Sequence, residues 1–336
     1  MEYEIAKKLY KKKLILLSIG CIIIATFASF MLISSEDGVT IDMDPSFLSE
    51  EEVKLAKKLS EEGTKNWKNK NFLDSIKFFE ASIEINPTDI SNYINLGYSY
   101  LTIEMIQESK DSFLKAYYMI QNESDVEIYP GAQLGLAFIN ILEKNFSQAE
   151  KLKVEALEYE NDTSEYYLFL SQAYFKINQS QKSMELLEIG ELEYPNNPYL
   201  IREKAYIYYH LKNYEVAERY AREDLFYDKD SVFANRIIGL IGVNIHQDMS
   251  LAKPYLENFN QFITGPDMEN GGHNALARVY LFEGNTEESR DLVKEVINYY
   301  ETSYFNYSQN PEKYFREKMV YEDAILILQE IESISS

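Results

Sequence analysis

The chain of 336 residues has a single cysteine, Cys21. An intramolecular disulfide is therefore impossible, and a zinc site of the multi-cysteine kind is excluded. Its three histidines, His210, His246 and His273, are scattered, and none has a second histidine at ligand spacing, which sets metal binding aside. There is no glycine-rich loop to cradle a phosphate and no nucleophile elbow. No convincing alternation of apolar and polar residues marks a strand. Cations are in the minority, with 33 Lys and Arg against 55 Asp and Glu and a formal net charge of -22. A surface of that sign repels nucleic acid and anionic lipid and keeps a long apolar-cored protein soluble. No cofactor and no small-molecule substrate is expected from these residues. The hydrophobic fraction of 46% is still enough for a continuous core.

One long uncharged run is present. Residues 14–34, LILLSIGCIIIATFASFMLIS, form 21 positions without a charge. At about 1.5 Å per residue, a helix there spans about 31 Å, the thickness of a bilayer's hydrocarbon core. Lys7, Lys8, Lys11, Lys12 and Lys13 precede it; Glu36, Asp37, Asp42 and Asp44 follow, with no lysine before Lys54. The positive-inside rule places residues 1–13 in the cytoplasm and the remainder outside it. Cleavage after Ala28 and lipidation at Cys21 are the alternatives, but the apolar run continues through Phe30 to Ile33 and favours an uncleaved anchor. Residues 35–48 read as an acidic linker, and Ser49 with Glu52 as a capping box opening the first helix.

Beyond that point the chain is periodic. Gly63, Gly97, Ala137, Ser171, Ala205, Gly239 and Ala277 recur at gaps of 34, 40, 34, 34, 34 and 38. Ser75, Ser109, Ala149, Ser183, Ala217, Ala252 and Ser289 recur at 34, 40, 34, 34, 35 and 37. Two series with one period mark stacked helical hairpins, each burying its face against its neighbours. Within the second unit, Leu96, Gly97, Tyr100, Ser109, Phe113 and Ala116 resemble the tetratricopeptide repeat. Leu136, Ala137, Phe146 and Ala149 continue the pattern, as do Leu170, Tyr174, Ser183 and Pro195. Ala205, Tyr208, Tyr214 and Ala217 follow, then Ala277, Tyr280, Gly284 and Ser289.

The resemblance implies an all-α, right-handed solenoid of about seven helix-turn-helix repeats over residues 49–300, starting near 56, 90, 130, 164, 198, 232 and 270. Residues 301–336 are expected to cap it with a polar outer face. The 40-residue gap places six extra residues around Asn122 to Glu127. The sixth unit is degenerate, with Gly242 where an aromatic is expected and Pro254 within its second helix, so a kink or a late start is expected there.

In this family the first helix of each unit lines the concave surface. The register puts Trp67, Tyr98, Phe138, Phe175, Lys176, Tyr199, Arg202, Tyr206, Tyr209, Phe233, Arg236 and Arg278 on that surface as a peptide-binding groove. Among its 35 inward positions one is acidic, Glu165, and six are basic, whereas a share proportional to the whole chain would be about six acids. An aromatic, mildly basic lining suits a peptide whose apolar side chains dock beside a carboxylate. One subclass of the family captures chaperone C-terminal carboxylates with Lys and Asn. Ser60 and Thr64 stand at the matching places here, so that activity is not implied.

The expectation is a non-enzymatic scaffold, anchored in a bacterial inner membrane with its repeats in the periplasm. It would bind a protein or peptide partner and assist an envelope complex. One alternative is an accessory subunit of an envelope polysaccharide, peptidoglycan or export system. Another, from a different class, is an enzyme with its site in the degenerate repeats.

Overall fold

The structure, a computed structural model, describes residues 48–69, 71–122, 130–157, 164–263, 271–302 and 315–335. Among these residues there are fifteen α-helices and no strand. None of these helices is long and apolar enough to cross a membrane. The expected membrane span, 14–34, and most of the expected six-residue insertion lie outside the described residues.

The chain divides into two compact units, Met1–Asn161 and Asp162–Ser336. The first contains three hairpins: α1 (Glu50–Lys68) with α2 (Phe72–Ile85), α3 (Ile90–Thr102) with α4 (Ile106–Asn122), and α5 (Gly131–Leu142) with α6 (Phe146–Leu157). The second contains four: α7 (Ser164–Lys176) with α8 (Ser180–Glu193), α9 (Pro198–His210) with α10 (Tyr214–Tyr227), α11 (Val232–Ile241) with α12 (Met249–Phe262), and α13 (Gly272–Phe282) with α14 (Thr286–Thr302). A last helix, α15 (Phe315–Ser335), packs on the seventh hairpin.

Local chemistry sets the helix ends. Ser49 and Glu52 form the anticipated capping box at α1. Asp89, Ser231 and Asp248 accept a first-turn N–H at α3, α11 and α12. Asn197 does the same at α9, ahead of Pro198, whose missing N–H costs nothing in the first turn. The turns inside the hairpins share one design. In five of the seven hairpins a residue with positive φ follows the first helix: Glu104, Lys144, Asn178, Lys212 and Gly284. The next N–H then reaches back five residues, as in Met105 to Tyr100 (2.9 Å), Asn145 to Asn140 (2.7 Å) and Asn213 to Tyr208 (3.0 Å). This Schellman closure satisfies carbonyls that the helix leaves open.

Close packing inside each hairpin depends on the small positions. A Cβ added to Gly63 would lie 2.8 Å from Phe79, one on Gly97 2.7 Å from Phe113, and one on Gly239 2.4 Å from Leu256. At Ala205 and Ala277 the second-helix residue is smaller: Ala205 shares a cluster with Ala221, and Ala277 with Val293. Ser109 and Ser289 donate to the carbonyls of Gly97 and Ala277, both at 2.8 Å, so these two hydroxyls of the second small series are satisfied inside the core, whereas the buried Ser183 hydroxyl has no partner among the described residues.

The sixth hairpin shows what one inserted residue does. Thirteen positions separate Gly239 from Ala252, where the other hairpins have twelve. The extra residue is taken up as a π-turn, Gly242–His246, closed by Gln247 at φ 53° and by Asp248 N–H to the Gly242 carbonyl at 3.0 Å. A Cβ on Gly242 would meet the Ala252 methyl at 2.8 Å, which explains a glycine where an aromatic was expected. α12 does not start late; it begins at Met249 and carries Pro254 inside it.

The cap differs from the expectation of a polar outer face. α15 buries Ala324, Ile327 and Ile331 against Ala277, Val293, Val296 and Tyr300, yet leaves Met319, Leu326 and Ile334 more than half exposed. Its apolar residues are spread around the helix, and one packed flank cannot cover them all.

Phe113 is fully buried, with Gly97 on one side and Gly135 of the next hairpin on the other; a Cβ on Gly135 would sit 2.4 Å from its ring. Gly135→Ala is expected to destabilise the protein by about 1–3 kcal/mol through overpacking. Phe113→Leu in the same chain should recover part of that loss, as read from a double-mutant cycle in urea. Strictly additive effects would refute the contact.

Candidate functional site

In the second unit α7, α9 and α11 lie side by side, and their side chains make one aromatic face. Phe175 and Tyr206 meet edge to face at 5.9 Å, and Tyr206 and Phe233 are 6.3 Å apart. His210 joins them, 4.3 Å from Tyr206 and 6.1 Å from Phe175. These rings are half-buried, with an apolar body against the core and an edge left open. Tyr209 packs into the fifth hairpin's core beside Tyr214, and burial raises its phenol pKa, Tyr214 adding to the effect. Tyr199 is 56% exposed, with the Arg202 guanidinium 5.5 Å above its ring. Lys176 is exposed at the end of α7.

A cleft of about 320 Å³ opens at the edge of this face, lined by Arg202, Asp228, Asp230, Ser231, Val232, Phe233 and Arg236. Three sequence-predicted residues, Arg202, Phe233 and Arg236, therefore come together. Their charges do not stand open as expected. Arg202 Nε donates to both oxygens of Asp224 at 2.9 and 2.8 Å, and its Nη2 donates to Asp228 at 2.8 Å. Burial alone would lower the basicity of Arg202, but the two carboxylates outweigh it and hold the guanidinium pKa above its usual value. Arg236 is 5% exposed, 5.1 Å from the Phe233 ring. Arg278 pairs with Asp323 of α15.

Beneath the face, Gln172 of α7 donates to Glu203 of α9 at 3.0 Å. Glu203 is 8% exposed, and its Oε1 has no hydrogen-bond partner among the described residues. Burial pushes this carboxyl up to about 7, against a smaller pull downward from Gln172.

The first unit holds the other three expected groove residues, and they are placed differently from one another. Phe138 is 3% exposed and belongs to the core, because α5 is buried along nearly its whole length. Tyr98 spends its hydroxyl on the Gly131 carbonyl at 3.1 Å and its ring on Phe113 at 5.0 Å. Trp67 is 42% exposed and packs edge-on to Phe72 at 6.4 Å. Of the matched clamp positions, Thr64 donates to the Ser60 carbonyl.

Sequence reasoning missed Asp224, Asp228, Asp323 and Glu203. A signal existed for Asp224: a carboxylate three residues after the core position Ala221 needs a cation if it is buried. Nothing in the register named Arg202 as that cation.

Residues 90–123 match the family model of the tetratricopeptide repeat. The mouse protein named Protein O-mannosyl-transferase TMTC3 is 25% identical over 180 residues, 47% of this chain and 19% of that protein. Its human counterpart is 24% identical over 152 residues, 39% of this chain and 16% of that one. The chain thus matches less than a fifth of the length of these relatives. Among solved structures, yeast Tom70 aligns with a TM-score of 0.56 and 16% identity, over 90% of this chain and 69% of Tom70. A tetratricopeptide repeat protein from Parabacteroides merdae aligns at 0.46 and 11%, over 80% and 98%. The fold is all-helical and tetratricopeptide-like.

Two outcomes follow from the buried ionic groups. The folded Glu203 carboxyl lies above its ordinary value of 4.5, so the folded chain holds the proton more tightly than the unfolded one. Its contribution to stability is full below about pH 4.5 and is lost as pH rises through 7, on the order of 3 kcal/mol in all. Glu203→Gln should flatten that part of the dependence of melting temperature on pH between 5 and 8. Asp224→Ala leaves Arg202 with Asp228 alone and should cost about 2–4 kcal/mol in urea unfolding, less than a fully buried pair because Arg202 keeps Asp228 and partial contact with water.

Proposed function

We propose that this protein is a non-enzymatic, membrane-anchored scaffold that captures a peptide segment of a protein partner on the aromatic face of its second unit. The carrying observation is the contiguity of Phe175, Tyr206, His210 and Phe233 across three successive first helices. Half-buried rings held by their own core give contact area at little entropic cost, which favours an apolar or aromatic side chain from the partner. Arg202 and Arg278 are held by the chain's own carboxylates, so the face recognises apolar chemistry first and a carboxylate only second. The anchor and the outward placement of the repeats rest on the uncharged run 14–34 and the lysines before it. The bacterial inner membrane and periplasm are the setting this reading favours. The transferase activity in the name of the mammalian relatives belongs to proteins of which less than a fifth is matched, and no group on the aromatic face suits glycosyl transfer.

The test is a fluorescent peptide array of apolar and aromatic sequences probed with the full chain. Tyr206→Ala with Phe233→Ala should weaken the bound peptides at least about tenfold, the loss of one good anchor, while Tyr206→Phe retains them. Unchanged binding in the double variant would end the proposal. In spheroplasts, a C-terminal tag should be digested by protease added from outside.

A further inference from the structure

The two helices that begin the aromatic face are joined one turn away from it by a partly buried polar contact. Gln172 precedes Phe175 by three residues and Glu203 precedes Tyr206 by three, so the Gln172–Glu203 contact lies one helical turn along from the Phe175–Tyr206 contact. Of the two Glu203 oxygens, Oε2 is bonded and Oε1 is sealed from water with nothing to accept from.

The charged groups around it are engaged elsewhere. On α9 itself, Arg202 turns to Asp224 and Asp228, and Lys204 turns to Glu191 of α8. From α10, Asp224 is taken by Arg202; from α11, Arg236 lies against Phe233. On α7 the ionic side chains are Glu165 and Lys176, at its two ends, and His210 lies at the far end of α9 against Tyr206. Burial and the Gln172 bond are the influences on the Glu203 carboxyl, with no neighbouring charge among them.

A neutral carboxyl suits this seam, because it can donate its proton to the Gln172 amide oxygen once that amide is flipped. An ionised one does not. It can accept from Gln172 at one oxygen only and leaves the other charged, dry and unbonded, a state relieved only by admitting water.

We propose that the Gln172–Glu203 contact is a proton-operated latch on the aromatic face. With Glu203 neutral, α7 and α9 lie closed and Phe175 and Tyr206 form one surface; with it ionised, the seam takes in water and the two parts of the surface separate. The consequence for peptide capture rests on the function proposed above, but the latch itself is read without any partner.

The experiment places spin labels on the full chain at Lys176→Cys and His210→Cys, with Cys21→Ser, and measures their separation at pH 5.5 and 8.5. His210 is itself part of the face, so its replacement means that a pH response cannot come from its imidazole, and peptide binding is read on the chain that keeps His210. The expected result is a shift to longer and broader distances at pH 8.5, with a midpoint near 7. Glu203→Gln should hold the closed distribution at both pH values. Gln172→Arg, which gives the ionised carboxylate a cation, should also abolish the shift, and it serves if the first variant folds poorly. Identical distributions at the two pH values, or an undiminished shift in both variants, would overturn the latch. Peptide binding that is absent while the distance shift persists would fault the proposed function alone.

Discussion

The hairpins depend on two helices approaching closely at one place, as five of the seven show. A first-helix residue with no more than a β-substituent meets a second-helix side chain sized to the space it leaves. Glycine at 63, 97 and 239 is matched by Phe79, Phe113 and Leu256, while Ala205 shares a core cluster with Ala221 and Ala277 one with Val293. Interiors are packed to crystal density, so this complementarity sets the separation of the helices within each hairpin. The hairpin turn follows from it. A residue in the left-handed region and a bond reaching back five positions bring the second helix to that separation, even where the turn residue is Glu, Lys or Asn.

The same constraint explains the irregular sixth hairpin. One additional residue cannot be dropped into an α-helix without rotating everything after it by about 100°. A π-turn absorbs it and returns Ala252 and Leu256 to the packed side. The small residue that this demands is Gly242, and the altered identity there reflects packing at the turn.

Charge is distributed by a second rule. The chain carries far more acid than base, and the few cations near the aromatic face are bound within the molecule before any partner arrives. Asp224 is wholly buried and Asp323 lies on the last helix, yet each fixes an arginine that projects from a first helix. The face left open is mainly aromatic. One turn along from it, Glu203, sharing one oxygen with Gln172 and leaving the other dry, is a buried carboxyl whose charge the surroundings oppose.

The repeat period, the capping box at Ser49 and the small positions were legible in the sequence. Each is a local property: a cap, a turn or a residue too small to obstruct a neighbour. The aromatic face was partly legible, because a helical register tells which residues share a side. Register does not tell how deep that side is buried, which is why Phe138 lies in the core while Tyr199 stands in water. Nor does it reveal that Arg202 and Asp224, or Arg278 and Asp323, would meet, since those contacts join residues 22 and 45 positions apart. The sequence by itself determined what each helix is and where it turns, because those are matters of neighbouring residues. The tertiary structure decided which charges were left for a partner, because only packing brings distant side chains within bonding distance.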